Sequence, residues 1–194
     1  MAYDHAVAPL EAEIAPRRQE LLAHAEGRIL EIGPGTGANL AYLPPSADWT
    51  GVEPNPYMTE RLLRRHPGST VALGRAEELP FESGSFDTVV ATLVFCSVGD
   101  LHAALEEARR VLRPGGKLIF LEHVLAPPRT AARALQRLVY WPWRCLGEGC
   151  RTNRDTVSAI AAHFGEVEAD HYWVSGRAAP LWVAYQAAGW ARAS

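Results

Sequence analysis

The feature that most narrows the fold is a short apolar run, Arg28-Ile29-Leu30-Glu31-Ile32, ending in Gly33-Pro34-Gly35-Thr36-Gly37. A β-branched run bounded by glycine and proline reads as a strand. The turn that follows predicts a helix running to about Leu43, where Pro44-Pro45 stops it. The alternation recurs: residues 49–53 predict a strand, 57–66 a helix after Pro54-Asn55-Pro56, and 71–73 a third strand. Residues 85–95 are almost continuously apolar, as in a strand buried on both faces of a parallel sheet. Asp100 can cap a helix over 101–112, whose Leu101, Ala104, Leu105, Ala108 and Val111 recur at three or four residues; Pro114-Gly115-Gly116 ends it before a strand at 117–124. After a helix at 156–164, strands at 167–174 and 181–187 are joined by residues too few for a crossover helix, so the last strand runs antiparallel to its neighbour. The expected class is α/β: a doubly wound, Rossmann-like, mostly parallel seven-stranded sheet with right-handed crossovers, closed by an antiparallel C-terminal hairpin and preceded by a helix over 9–26.

Ligands of such sheets bind beyond the carboxyl ends of the strands, where strand order reverses. Gly33, Gly35 and Gly37 let the backbone approach a ligand and present N–H groups to an anionic part of it. Gly33-x-Gly35-x-x-Ala38 with Glu53, 20 residues after Gly33, also satisfies the loose dinucleotide pattern, so the loop alone does not separate NAD from an adenosyl ligand. Glu53 can accept hydrogen bonds from both ribose hydroxyls of either. Glu31 discriminates better: a carboxylate two residues before the loop sits awkwardly beside a pyrophosphate but suits an ammonium and a sulfonium.

At 194 residues, 48% hydrophobic, 21% charged and with net charge −3, the chain has the makeup of one globular domain and lacks the basic field that holds a nucleic-acid backbone. Cys96, Cys145 and Cys150 show no CxxC spacing and no zinc-module histidines, so free thiols in a reduced compartment and no metal site are expected. Asp4, Glu11, Glu13, Arg17, Arg18 and Glu20 interrupt the first 25 residues, and no stretch of about 18 apolar residues occurs. The expectation is therefore a cytoplasmic protein without a transmembrane segment.

These motifs, with Leu79-Pro80-Phe81 before Ser85-Phe86-Asp87 and Val111-Leu112-Arg113-Pro114-Gly115-Gly116, resemble in order and spacing the class I S-adenosylmethionine-dependent methyltransferases, of the methyltransferase type 11 kind, over about residues 28–124. The resemblance implies that Gly33, Gly35 and Gly37 cradle the methionine part of the cofactor, with Glu31 near its amino group. It also implies that Glu53, with Pro54 and Asn55 behind it, holds the ribose, that Ala76 and Glu77 flank the adenine, and that Thr92 and Leu93 lie near the methyl group. Gly37-Ala38-Asn39, residues 92–98, Glu122-His123-Val124 and Gly149-Cys150-x-Thr152-x-Arg154 look closer still to the methyltransferase-like 7 group of thiol S-methyltransferases. Vertebrate members of that group are membrane-associated through an N-terminal hydrophobic anchor, which is not expected here. Tyr3 and the first helix are implied to fold over the cofactor.

On this reading the chain is one domain: a helical cap (1–27), a cofactor core (28–124), an insert (125–152), and a last helix with the hairpin (153–194). The insert is longer than the usual connection of about 2–6 residues and mixes aromatics with arginines. It suits a lid whose Trp141 and Trp143 select a small apolar acceptor, and equally a core helix or a dimer contact; a peripheral membrane contact is a further alternative. For a thiol acceptor, Arg154 or His123, at the carboxyl end of strand five, would raise the thiolate fraction, His123 as a general base. The expected function is methyl transfer from S-adenosylmethionine to a small, apolar molecule, a thiol first among candidates. The alternatives are an NAD-dependent oxidoreductase and a non-catalytic cofactor-binding module.

Overall fold

The computed structural model describes residues 2–147 and 149–193, the side chains of 2–6 excepted. Its sheet runs β3-β2-β1-β4-β5-β7-β6. β1 (Arg28–Ile32) pairs in parallel with β2 (Asp48–Glu53) and β4 (Phe86–Thr92); β3 (Thr70–Leu73) extends one wing and β5 (Leu112–His123) begins the other. β7 (Tyr185–Arg192) lies antiparallel between β5 and β6 (Glu166–Trp173). The expected closing hairpin is therefore present, and strand order reverses between β1 and β4.

Alternating residues of the central strands bury opposite faces. Leu30, Val89, Leu118 and Phe120 pack beneath α3 (Leu101–Val111) and α6 (Thr156–Phe164), whereas Ile29, Val90 and Ile119 pack with Leu22 at the end of α1 (Ala2–Leu22). Asp100 caps α3 by accepting from the N–H groups of His102 and Ala103 at 2.9 and 3.2 Å, and Asn55 caps α2 (Pro56–Arg65) through Tyr57. The insert folds as α4 (Ala131–Leu138) and α5 (Tyr140–Leu146).

Three local expectations shift. No α-helix follows the glycine loop: residues 35–42 form successive turns, because Gly33 and Gly35 take φ of +63° and +56° and the N–H groups of Gly37, Leu40 and Tyr42 each reach the carbonyl three residues back. The first helix ends at Leu22 rather than near Gly27. The last strand begins at Tyr185, since Pro180 to Ala184 form a turn.

Candidate active site

At the switch point, two cavities meet at Gly33. One of about 470 Å³ is walled by the glycine loop, Glu31, Asn39, Thr92 and Leu93, and on its open side by Val7, Ala8, Glu11 and Arg18 of α1. The other, about 240 Å³, is a slot between Ile32, Val52, Pro54, Ala76, Glu77 and Val98. A larger hollow of about 600 Å³ lies by Arg113, His163 and Ala193, at the opposite end of the sheet from the strand carboxyl ends where ligands of this fold bind.

Glu53 ends β2 nearly buried, 6% exposed. The backbone N–H of Gly35 donates to its Oε2 at 3.1 Å and that of Asn55 to its Oε1 at 3.0 Å, so the carboxylate ties the glycine loop to the next strand. Gly35 faces open space: a Cβ there would meet nothing within 4 Å, which leaves the backbone accessible to a ligand. Asn55 contributes its backbone N–H here, while its side chain serves the α2 cap.

Glu31 is wholly buried, with Trp49 Nε1 donating to one carboxylate oxygen at 2.8 Å and Asn39 Nδ2 to the other at 2.9 Å. Asn39 Nδ2 also reaches Thr92 Oγ1 at 2.9 Å, coupling β1 to the end of β4, and Asn39 Oδ1 is buried without a partner. Burial raises the Glu31 carboxyl to about 7; the two donors and the Arg18 guanidinium work against that rise, and the Glu53 charge adds to it.

Arg18, 3% exposed, pairs with Glu11 one side of the cavity and leaves its Nε unpartnered. In the sequence it stands out only as one of the charges that interrupt the first 25 residues. The signal was there: Glu11, Ile14 and Arg18 fall at i, i+3 and i+7 and share one stripe, which is the buried one. His66, at the end of the expected 57–66 helix, also lines this cavity beside Gly37.

Under the cavity floor, Leu93 takes φ of +55°, an unfavourable conformation for a bulky residue. The buried Glu122 carboxylate holds the loop so: its oxygens accept from the N–H groups of Val94 at 2.9 Å, Phe95 at 2.8 Å and Cys96 at 3.3 Å. Burial pushes the Glu122 carboxyl well above the usual range.

Other expected site residues are placed elsewhere. Glu77 lines the slot, but its Oε1 accepts from the N–H groups of Gly99 and Asp100, so it braces the loop before α3. Trp141 is 67% exposed and lines neither cavity, because α5 turns it outward with Leu146. Trp143 faces inward against Trp182 and donates to Cys150 Sγ at 3.2 Å, also off the cavity walls. Arg154 donates to the carbonyls of Phe95 and Val98, bracing the β4–α3 loop. His123 lies behind the floor with Nε2 2.8 Å from Cys150 Sγ, so it reaches no acceptor in the cavity. The side chain of Tyr3 lies outside the described residues.

The groups present fit an adenosyl amino acid. Buried Glu31 and Arg18 complement an ammonium and a carboxylate and the apolar slot admits a flat ring, whereas the buried Glu31 carboxylate disfavours a pyrophosphate; Glu53, a wall residue of neither cavity, fixes the glycine loop that borders the first. The comparisons agree. The family described as a methyltransferase domain matches residues 30–120. The thiol S-methyltransferase TMT1B of Rattus norvegicus is 40% identical over 152 residues, 74% of this chain and 62% of that protein, so the chain spans less than two thirds of its length. The thiol S-methyltransferase TMT1A of Homo sapiens is 33% identical over 186 residues, 87% of this chain and 73% of that protein. A SAM-dependent methyltransferase from Thermotoga maritima shares the fold with a TM-score of 0.73 at 20% identity, covering 100% of this chain and 95% of that one. Neither the oxidoreductase nor the non-catalytic alternative finds support in them. The chain belongs to the S-adenosylmethionine-dependent methyltransferase family, together with TMT1A and TMT1B.

Proposed function

We propose that the chain transfers a methyl group from S-adenosylmethionine to the sulfur of a small, apolar thiol. The observation that carries this reading is the presence of buried Glu31 and Arg18 on the walls of one cavity, joined at Gly33 to the slot beside Glu53, in a chain similar to the thiol S-methyltransferases TMT1A and TMT1B. When bound, the cofactor supplies an electrophilic methyl on a sulfonium. Glu31 and Arg18 hold its amino-acid end, Glu53 its ribose, and Ala76 with Val98 its ring. Val7, Ala8, Tyr42 and Leu93 offer the acceptor an apolar approach and exclude water, so alignment carries the rate, for which effective molarities of about 10⁵ M or more are known. Titration calorimetry with S-adenosylhomocysteine tests the cofactor assignment: saturable one-to-one binding is expected and none with NAD, and the reverse contradicts it.

Two further results follow. His66 is the one histidine lining this cavity among the described residues, and neither His123 nor Arg154 reaches it, so the thiol loses its proton to water before attack. The pH midpoint of kcat/KM is then expected to track the acceptor's own pKa, about 8.5 for an ordinary alkyl thiol, and to move down with a more acidic one. A midpoint independent of the acceptor would assign a base, His66 first.

Glu31 gives the cofactor step its own pH dependence. With its pKa raised to about 7 in the folded chain, the stability it contributes is full below about 4.5 and is lost as pH rises through 7, about 3 kcal/mol in all. An ammonium brought beside it favours ionisation, so cofactor binding near pH 7 is expected to release about half a proton. Calorimetry in buffers of different ionisation enthalpy reads this directly, and Glu31→Gln is expected to remove the release.

A further inference from the structure

Behind the cavity floor lies a cluster that methyl transfer does not use. Cys96, His123 and Cys150 present two Sγ atoms and an imidazole nitrogen, all within 4.8 Å of one another, on side chains only 3%, 4% and 7% exposed. They come from three separate segments: the loop after β4, the end of β5, and the residues following α5. His123 Nε2 faces Cys150 Sγ at 2.8 Å while its Nδ1 is buried without a partner, so hydrogen bonding among the described residues accounts for only one of the two ring nitrogens. Packing alone calls for neither two thiols nor an imidazole to converge.

This is the donor set of a thiophilic divalent cation. Zinc takes thiolate at about 2.3 Å and imidazole at about 2.0–2.1 Å, which in a tetrahedral arrangement puts the donors about 3.5–3.8 Å apart; that lies inside the 4.8 Å limit the three donors share, and the 2.8 Å approach of His123 Nε2 to Cys150 Sγ would open by about 0.7 Å on binding. We propose that Cys96, His123 and Cys150 form a three-donor zinc site that fastens the segment after α5 to the carboxyl ends of β4 and β5, leaving the fourth position to a small ligand such as water. On binding, both thiols give up their protons to the buffer as two Zn–S bonds form. Two thiolates and a neutral imidazole then leave the divalent ion with no net charge, which suits a dry site. Trp143 Nε1, 3.2 Å from Cys150 Sγ, supplies an outer hydrogen bond to one ligand sulfur. The spacing of the three residues, 27 apart each time, is why local cysteine patterns did not reveal them.

The full chain, expressed with zinc in the medium and purified reduced without chelator, is the material for the test, read by elemental mass spectrometry. The site is independent of methyl transfer, and no cofactor or acceptor is needed. About one zinc per chain is expected in the wild type and in Cys145→Ser, which removes the exposed third cysteine, with loss in Cys96→Ser and in Cys150→Ser. Cobalt substitution of the wild type gives a second reading that does not depend on either variant folding: thiolate-to-cobalt charge-transfer absorption is expected. Wild-type protein that takes up no zinc on dialysis and shows no such absorption with cobalt overturns the proposal, as does full zinc content in a folded Cys96→Ser, Cys150→Ser double variant.

Discussion

Glu53→Ala is expected to weaken S-adenosylhomocysteine binding at least about 100-fold. The carboxylate accepts the N–H groups of Gly35 and Asn55, which sets the shape of the glycine loop, and in the proposed function it also holds the ribose. Hydrogen bonds to a charged group contribute about 1.5–3 kcal/mol each, so losing two ribose contacts alone costs about 3–6 kcal/mol, and about 1.4 kcal/mol is tenfold in affinity. Glu53→Gln keeps one acceptor oxygen and should fall between the two. Calorimetric titration of the three proteins checks the order; binding by Glu53→Ala within about threefold of wild type would mean that the ribose lies elsewhere.

Glu122→Ala is expected to be the most destabilising single change near the site. It strands the N–H groups of Val94, Phe95 and Cys96 in a buried loop, each at a cost of about 1–3 kcal/mol, partly offset because a desolvated carboxyl is removed as well. A net loss of about 3 kcal/mol corresponds to a melting temperature lower by about 6–12 °C for a domain of this size. Freed of its anchor, Leu93 is expected to leave its positive φ, so the cavity floor shifts and cofactor affinity falls too. Thermal unfolding with chelator present, so that any bound metal does not contribute, separates this effect from one at the neighbouring His123. A change below about 2 °C would show that the loop does not depend on the carboxylate.

Most of the sheet was legible because its signals are periodic. The continuous apolar run of β4, the three-and-four repeat of α3 and the glycine loop after β1 each report burial directly, and their order constrains the topology. The last strand escaped in part because hydropathy favours Leu181-Trp182-Val183, whereas β7 is built from Ala187, Ala188, Gly189 and Ala191. Those residues are small for a reason the linear sequence does not carry: β7 is inserted between β5 and β6, and a Cβ on Gly189 would lie 2.0 Å from the Glu168 carbonyl oxygen.

The strand–loop–strand part of the candidate site was legible for the same local reason. Glu31, Glu53 and the glycines belong to one strand–loop–strand unit with fixed spacing. The parts assembled from distant segments were not, because they depend on how separate elements pack. Arg18 reaches the cavity only through the placement of α1, and Trp141 was assigned to the cavity by composition, whereas the turn of α5 carries it into solvent. Likewise Arg154 and His123 sit near the catalytic end of the sheet, yet their hydrogen bonds point behind the floor.

The most direct test of the central claim is transfer of a deuterated methyl group from labelled S-adenosylmethionine to a panel of small thiols, phenols and amines, read by mass spectrometry of the products. The account predicts label on sulfur of the apolar thiols, lost in Glu53→Ala. Label confined to oxygen or nitrogen acceptors, or no transfer to any thiol by a protein that binds the cofactor, would contradict it.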